Sequence, residues 1–292
     1  MKYIIDTDPG IDDAIAILLG YLNKLDIVGF TLATGNIEFE KSLNNIKIIE
    51  DLLDSNIKIY EGSLHNKGNV TAKYAHGIDG LGYAVFPKSN RKTEKMYAED
   101  FMIKASKKYK DNLTIICLGP LTNLANALRK DKTLAQRVSK VVIMGVSDDD
   151  HLYREFNVKV DPIAAKKVLA APFKRIEVVT HETGIKTFIS KRYINTLKES
   201  EDIISRFVYL ISLKYIEFSM EHHHVNGLTV PDPLTVASVV DDKIISFKPC
   251  KIKIDVGDPG VCHVEKLKNS NTYISTDVNQ ERFSKLFKNT FK

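Results

Sequence analysis

Short apolar runs alternate with amphipathic segments along the first two thirds of the chain, and no other feature of the sequence constrains the fold as strongly. The runs suit buried strands, whereas the segments between them carry the 3.6-residue periodicity of helices. The predicted strands are residues 3–6, 27–34, 57–60, 113–118, 141–144 and 176–179, and the predicted helices are residues 38–53, 98–108, 121–128 and 162–169, with a further helix through Ala14 to Leu19. Because strands separated by helices pair in parallel through right-handed crossovers, we predict an α/β fold with a mostly parallel central sheet flanked by helices.

The last third of the chain has a different pattern. A long amphipathic helix is predicted at residues 202–221, a second helix near Pro233 and a last helix at residues 280–287. From Phe247 onward, short runs rich in Val, Ile and Thr are broken by glycine, proline and asparagine turns, which is typical of antiparallel strands. We therefore expect a small antiparallel C-terminal addition. Since the chain has no repeat or linker, residues 1–292 are interpreted as a single domain.

Composition and charge exclude several classes of protein. Hydrophobic residues make up 43% of the 292 residues, which excludes a disordered chain. The net charge is +5 and the basic residues are scattered, so we expect no nucleic-acid partner. No apolar stretch reaches the roughly 18 to 20 residues of a membrane-spanning helix, and the first residues lack a signal-peptide pattern, so we expect no membrane contact and a cytoplasmic location.

Four acidic residues follow the first predicted strand in close succession: Asp6, Asp8, Asp12 and Asp13. Asp12 and Asp13 fall in the first turn of a helix, where the macrodipole favours negative charge. Asp6 and Asp8 have no such explanation, and repulsion among carboxylates at short range is costly without a compensating charge. Oxygen ligands without nearby cysteine favour a hard cation such as Ca²⁺ or Mg²⁺. We therefore predict a divalent cation where the carboxyl ends of the strands meet.

Two other motifs share this spacing of aspartates. An EF-hand loop that began at Asp6 would need a glutamate as its twelfth residue, and that residue is Ile17. Phosphatases that use the first aspartate as a phosphoryl acceptor usually carry Thr or Val two residues after the second, where this chain has Gly10. The EF-hand is rejected, and the aspartate-nucleophile phosphatase is kept as a weaker alternative.

Seven motifs in the same order resemble the inosine-uridine type nucleoside hydrolases. They are Asp6 to Ala14, Thr34 to Asn36, His76 to Gly82, Gly119 to Ala125, Met144 with Gly145, Glu155 to Asn157 with Asp161 and Pro162, and Asp232 with Pro233. The resemblance covers nearly the whole chain. It implies a Ca²⁺-dependent enzyme that hydrolyses the N-glycosidic bond of a ribonucleoside to free base and ribose, and it implies a homodimer or homotetramer.

The resemblance also implies roles for individual residues. The matching ligands of one Ca²⁺ ion are Asp8, Asp13, the backbone carbonyl of Leu118 and the carboxylate of Asp232, and the ribose hydroxyls complete its coordination. The matching sugar contacts are Asp12, Asn36, Glu155 and Asn157, with Met144 lining the pocket. By the same resemblance, Asp8 is the general base that takes a proton from the calcium-bound water, which then attacks the anomeric carbon.

The residue that protonates the leaving base is the first departure from the family pattern. Many pyrimidine-tolerant members have a histidine directly before the late aspartate, where this chain has Pro231, and purine-specific members stack the base between tryptophans, which this chain lacks. Histidine suits acid-base work near neutral pH, so His76, His223 and His224 are candidates for the acid. A solvated helix end and a loop-ordering hydrogen bond are the alternatives for them. Tyr215 and Phe156 are predicted base or nucleoside contacts, with core packing as the alternative.

A second departure lies in residues 145–151, which are shorter than in the family and lack the asparagine that grips the 5′-hydroxyl. Residues 148–150, all aspartates, are candidates to replace it, with a solvated acidic loop as the alternative. Because the metal and ribose residues are intact, we interpret these changes as altered specificity. A hydrolase of a modified nucleoside and a catalytically silent nucleoside-binding relative remain the alternatives.

Overall fold

The computed structural model describes residues 1–62, 70–148 and 153–292 of the chain. The strands in these residues are β1 (Lys2–Thr7), β2 (Asp26–Leu32), β3 (Ile59–Glu61), β4 (Leu113–Cys117), β5 (Lys140–Met144), β6 (Ile176–Val179), β7 (Phe188–Ser190), β8 (Gly227–Thr229), β9 (Ile245–Ile254), β10 (Cys262–Lys266) and β11 (Thr272–Val278). Nine of them form one sheet in the order β10-β9-β11-β6-β5-β4-β1-β2-β3, and β7 and β8 form a separate antiparallel pair.

Helices connect most of these strands, and the last helix follows β11. They are α1 (Ile11–Leu22), α2 (Phe39–Leu53), α3 (Lys73–His76), α4 (Ala98–Tyr109), α5 (Thr122–Lys130), α6 (Leu134–Arg137), α7 (Phe156–Val160), α8 (Pro162–Leu169), α9 (His181–Lys186), α10 (Lys191–Thr196), α11 (Ile203–His222), α12 (Pro231–Val240) and α13 (Gln280–Thr290). Two 3₁₀ turns occupy Lys110–Asn112 and Leu197–Glu199. No helix in the described ranges is both long enough and apolar enough to cross a bilayer.

The centre of the sheet is parallel and is buried on both faces. Strand β1 pairs in parallel with β2 on one side and with β4 on the other. Successive residues of β1 point to opposite faces, so Ile5 packs in the core that contains α1 and α12, whereas Ile4 packs in the core that contains α5 and α8. Continuous apolar strands of this kind need helices on both sides of the sheet.

The strand order places a ligand crevice beside β1. From β1 the chain runs outward through β2 and β3 in one direction, and from β4 it runs outward through β5 and β6 in the other. In open parallel sheets, ligands bind outside the carboxyl ends of the strands at such a reversal. The residues just after β1 and β4 therefore lie at the predicted position of the site.

The sequence prediction of a mostly parallel sheet flanked by helices is confirmed. The predicted antiparallel addition is also present, and it extends the main sheet, because β11 pairs in parallel with β6 and antiparallel with β9. The pair β7 and β8 was not predicted, because each strand has only three residues. The helix predicted near Pro233 begins at Pro231.

Candidate active site

Glycine and aspartate set the geometry of the acidic turn after β1. The Gly10 N–H donates to Asp13 Oδ2 at 3.0 Å, which caps the first turn of α1. A Cβ on Gly10 would lie 2.6 Å from His76 Nδ1, so the absence of a side chain leaves room for the histidine ring. The same His76 nitrogen accepts the Ile11 N–H at 3.1 Å. This turn brings Asp12 and Asp13 into the buried first turn of the helix.

Asp13 is held in place by several hydrogen-bond donors. Its Oδ1 accepts the Thr7 hydroxyl at 2.6 Å and the Asp8 N–H at 3.3 Å. Its Oδ2 accepts the Asn36 side-chain amide at 2.9 Å in addition to the Gly10 N–H. Because these donors come from β1, from the turn between β1 and α1 and from the loop after β2, they fix the direction of the carboxylate before any ligand binds.

Asp232 joins the acidic turn from a distant part of the sequence. It lies in the first turn of α12, which packs against α1. Among the described residues, one group of acids has oxygen atoms that all lie within 4.8 Å of one another, and it comprises Asp12, Asp13 and Asp232. All three side chains are buried. Such a group can hold a metal ion.

Burial and mutual repulsion make the ionised form of this group costly. Burial, followed by the charge of Asp13, raises the pKa of Asp12 to about 8. Burial also raises the pKa of Asp232 well above its usual range, with further contributions from the charges of Asp12, Asp13 and Asp8. The acids therefore need either protons or a cation near neutral pH.

Asp8 lies next to this group with a different set of contacts. Its Oδ2 accepts the Asn36 N–H at 2.7 Å. Its carboxylate fills the space beside Gly35 and Gly119, where any side chain would collide with it. Asp8 Oδ1 is buried and has no hydrogen-bond partner in the described part of the chain, and the same is true of Asp12 Oδ1.

These observations fit a hard divalent cation. The donor atoms of the group are carboxylate oxygens, and no cysteine or histidine belongs to it. Among the described residues, Asp12 Oδ1 within the group and Asp8 Oδ1 beside it have no hydrogen-bond partner. The predicted ligand set of Asp8, Asp13, Leu118 and Asp232 differs from this group of neighbouring carboxylates, which contains Asp12 and not Asp8. The assignment of individual ligands stays a prediction.

A cavity adjoins the acidic group and receives most of the predicted site residues. Its lining consists of Asp12, Asn36, Ala72, Tyr74, Ala75, His76, Leu118, Met144, Tyr153, Glu155, Phe156, Asn157, His181, Tyr215, Phe218, His223, Pro231 and Asp232. Of the predicted residues that the structure describes, Asp8, Asp13, Asp148 and His224 are not in this lining. The structure therefore brings together side chains from segments that lie far apart in the sequence.

The loop before α7 forms a second polar side of the cavity. Glu155 caps α7, because its carboxylate accepts the Asn157 N–H at 3.1 Å and the Val158 N–H at 2.7 Å. The Asn157 side-chain amide donates to the Leu118 carbonyl at 2.9 Å and to the Met144 carbonyl at 3.3 Å. Burial raises the pKa of Glu155 to about 7. The cap and the two amide hydrogen bonds therefore hold Glu155 and Asn157 next to Leu118, which follows β4, and Met144, which ends β5.

The three predicted leaving-group acids differ in burial and in whether they line the cavity. His76 is buried, which lowers its pKa to about 3, and its Nδ1 lies 3.8 Å from Asp12 Oδ1. His223 lines the cavity, and its Nδ1 lies 3.3 Å from the Thr229 hydroxyl. His224 is exposed, so its predicted role has no support from the geometry. Tyr215 lines the cavity and donates its hydroxyl to Asp12 Oδ2 at 3.4 Å.

Sequence reasoning predicted Tyr215 and Phe156 but missed four other aromatic residues of the cavity. His181, Tyr153, Tyr74 and Phe218 all line it, and none was predicted as a site residue. His181 lies two residues after the end of β6, at the same edge of the sheet as the acidic turn, so its position after a strand was a usable signal. The other three come from a short helix, a loop and the long helix α11, where the sequence carries no comparable signal.

The segment predicted to contact the 5′-hydroxyl is described only in part. Asp149, Asp150 and His151 lie outside the described residues. The Asp148 N–H donates to the Glu182 carboxylate at 3.1 Å, and the Ser147 hydroxyl donates to the same carboxylate. Glu182 therefore ties the end of this loop to α9.

Comparison with known proteins gives a consistent result. A family model described as inosine-uridine preferring nucleoside hydrolase matches residues 3–285. The chain is 29% identical to uridine nucleosidase 1 of Arabidopsis thaliana over 89% of this chain and 80% of that protein. It is 31% identical to the pyrimidine-specific ribonucleoside hydrolase RihB of Escherichia coli over 90% of this chain and 85% of that one. The purine-preferring ribonucleoside hydrolase from Gardnerella vaginalis superposes with a TM-score of 0.92 at 26% identity, covering 100% of this chain and 98% of that structure.

Proposed function

Since the chain belongs to the inosine-uridine preferring nucleoside hydrolase family and is an N-glycosidase of ribonucleosides, we propose that it depends on Ca²⁺ and that Asp8 activates the attacking water. The observation that carries this proposal is the buried group of Asp12, Asp13 and Asp232 beside a cavity. A hard cation would neutralise the buried negative charge and would be coordinated by the oxygens that have no hydrogen-bond partner among the described residues.

The residues that would hold the cation are Asp8, Asp13, Asp232 and the Leu118 carbonyl, with Asp12 close enough to join them. The family is metal-dependent, and oxygen donors alone favour Ca²⁺ or Mg²⁺ over zinc. When bound, Ca²⁺ would neutralise the carboxylates and lower the pKa of a coordinated water.

Asp8 is suited to accept a proton from the attacking water. Its Oδ1 has no partner in the described part of the chain, while the Asn36 N–H fixes Oδ2 at 2.7 Å. Burial and the charge of Asp13 raise the pKa of Asp8, and a carboxylate of raised pKa is a better base near neutral pH. Asn36 therefore acts as a positioning residue for Asp8.

The remaining polar residues would bind the sugar and stabilise the charge that develops on it. Cleavage of an N-glycosidic bond passes through an oxocarbenium-like sugar, and nearby anionic groups stabilise that positive charge. Asp12 and Glu155 line the cavity with Asn36 and Asn157, so acids and hydrogen-bonding amides both reach the same space. We assign these four residues to the ribose.

The relatives do not indicate which base this chain prefers, because one is named for uridine, one for pyrimidines and one for purines. A panel of purine, pyrimidine and modified ribonucleosides tests the function directly. We expect free base and ribose from at least one member when Ca²⁺ is supplied, and loss of turnover when a chelator is added. Asp232→Ala is expected to need much more Ca²⁺ for half-maximal activity. Binding without turnover across the whole panel would contradict the proposal.

A further inference from the structure

One imidazole in the cavity has no role in the proposed function. His181 is the first residue of α9, and its backbone N–H donates to the Val146 carbonyl at 3.1 Å. The preceding Thr180 caps the helix by accepting the Thr183 N–H at 3.2 Å. The backbone of His181 is therefore fixed at the carboxyl edge of the sheet, and its side chain lines the cavity.

A continuous series of rings separates His181 from the carboxylates. Starting at the acidic end, the Tyr215 hydroxyl contacts Asp12, and the Tyr215 ring lies 5.5 Å from that of Phe218. Phe218 lies 5.0 Å from His223, and His223 lies 5.9 Å from His181. The acidic end suits the ribose, so the end that contains His181 is where the base would lie.

The His181 ring is oriented by stacking and not by hydrogen bonds. Tyr153 stacks on it with ring centroids 3.8 Å apart and an interplanar angle of 8°. Within the described ranges, no protein group forms a hydrogen bond with either ring nitrogen of His181. Because stacking fixes the orientation of the ring and its nitrogens have no partner in the described part of the chain, His181 can form a hydrogen bond with a ligand in the cavity.

In the other two histidines that line the cavity, one ring nitrogen already contacts a protein group. His76 uses Nδ1 to accept the Ile11 N–H and lies at the acidic end, 3.8 Å from Asp12. His223 has Nδ1 near the Thr229 hydroxyl at 3.3 Å. Pro231 lines the cavity without any donor, and it packs against Gly184 of α9, one turn after His181.

We propose that His181, oriented by Tyr153, donates a ring N–H hydrogen bond to the base as it departs. The inference rests on the proposed function. As the C1′–N bond breaks, its electron pair stays on the base, and the N–H stabilises the negative charge that develops there. The hydroxyl of water bonds to C1′ and the water's other proton passes to Asp8. After release, the base takes a proton from solvent.

The environment of His181 favours a neutral ring in this role. Burial lowers its pKa to about 4, with an opposing contribution from Glu182 and a further lowering by His223. A neutral imidazole keeps one N–H and can act as an electrophile toward developing negative charge. Donors aimed at such charge contribute most in a site that excludes water.

The test compares two leaving groups. His181→Phe keeps an aromatic ring for the Tyr153 stack and removes the N–H. On the ribonucleoside that the wild type hydrolyses best, we expect kcat to fall about 10²- to 10³-fold with little change in KM. On p-nitrophenyl β-D-ribofuranoside, whose leaving group spreads its negative charge without help, we expect kcat to stay close to the wild-type value. His181→Gln, which retains an N–H, should recover part of the loss on the ribonucleoside.

The controls separate this inference from the proposed function. His263→Gln changes an exposed histidine on β10 and should leave both substrates unaffected. Equal losses on both substrates in His181→Phe would overturn the inference, as would no loss on either. If His181→Phe does not fold, His181→Leu gives the same comparison. A wild type that hydrolyses neither substrate would count against the proposed function itself.

Discussion

The buried carboxylates predict that the cation-free protein loses stability as the pH rises, and that Ca²⁺ restores it. Burial raises the pKa of Asp12 to about 8, whereas an aspartate in the unfolded chain titrates near about 3.9. Between these values the folded protein retains a proton that the unfolded chain has lost. The contribution of this carboxyl to the free energy of unfolding therefore falls as the pH rises from about 4 to about 8.

The expected slope follows from proton linkage. One carboxyl that is protonated only in the folded state lowers the free energy of unfolding by about 1.4 kcal/mol per pH unit within its window. Glu155, whose pKa burial raises to about 7, adds to this slope over most of the same range. Surface acids such as Glu38, whose pKa Lys73 lowers to about 2, act below this window. They do not compensate between pH 5 and pH 8. Below about pH 6.5, however, His76 and His181 oppose the slope, because burial lowers their pKa values to about 3 and about 4 and the unfolded chain binds protons there that the folded protein does not. The slope that belongs to the carboxylates is therefore read between pH 7 and pH 8.

Chemical unfolding, followed by circular dichroism at pH 5, 6, 7 and 8, measures this slope. One series contains a chelator and the other contains Ca²⁺. Because binding a cation requires ionised carboxylates, Ca²⁺ should stabilise the protein more at pH 8 than at pH 5. Asp12→Asn removes one titrating group and should flatten the slope seen in chelator.

Two results would refute this reasoning. Stability in chelator that is constant or rises between pH 7 and pH 8, above the range in which the histidines titrate in the unfolded chain, would show that the carboxylates do not retain protons in the folded state. Stabilisation by Ca²⁺ that is equal at pH 5 and pH 8 would show that the ion does not compete with protons at this group.

Two substitutions test the environment of the proposed base. Asp8→Asn should lower kcat by about 10²- to 10⁴-fold while calorimetry still detects nucleoside binding, and a fully active variant would refute the assignment of Asp8 as the base. Gly119→Ala places a methyl group against Asp8 Oδ1, so we expect a large loss of activity in steady-state assays. Its matched control is Gly257→Ala, because a Cβ at that position lies 3.3 Å from its nearest neighbour, Asp255 Oδ1. This control variant should retain wild-type turnover. Equal losses of activity in the two glycine variants would contradict the packing argument.

The sheet and much of the site could be predicted because both depend on local patterns. Short apolar runs separated by amphipathic segments identified the parallel core. Polar residues directly after those runs identified the crevice. Asn36 and Asp13 illustrate the second rule, since they follow different strands and form a hydrogen bond at 2.9 Å. Both follow from the rule that the carboxyl ends of parallel strands share one edge.

The detailed contacts could not be predicted, because they depend on side-chain directions and on packing between distant elements. Asp8 turns toward Gly35 and Gly119, and no spacing in the sequence specifies that direction. The Leu118 carbonyl accepts a hydrogen bond from Asn157, which depends on how the loop before α7 folds back. His181 belongs to the cavity only because α9 packs against the start of α12.

The most direct test of the central claim is a crystal structure of the protein soaked in Ca²⁺, with the ion located by anomalous scattering. We predict one ion at the acidic group, coordinated by oxygen atoms of Asp8, Asp13 and Asp232 at about 2.3 to 2.6 Å. A crystal in which these carboxylates enclose no ion, or in which Ca²⁺ binds only elsewhere on the protein, would contradict the account.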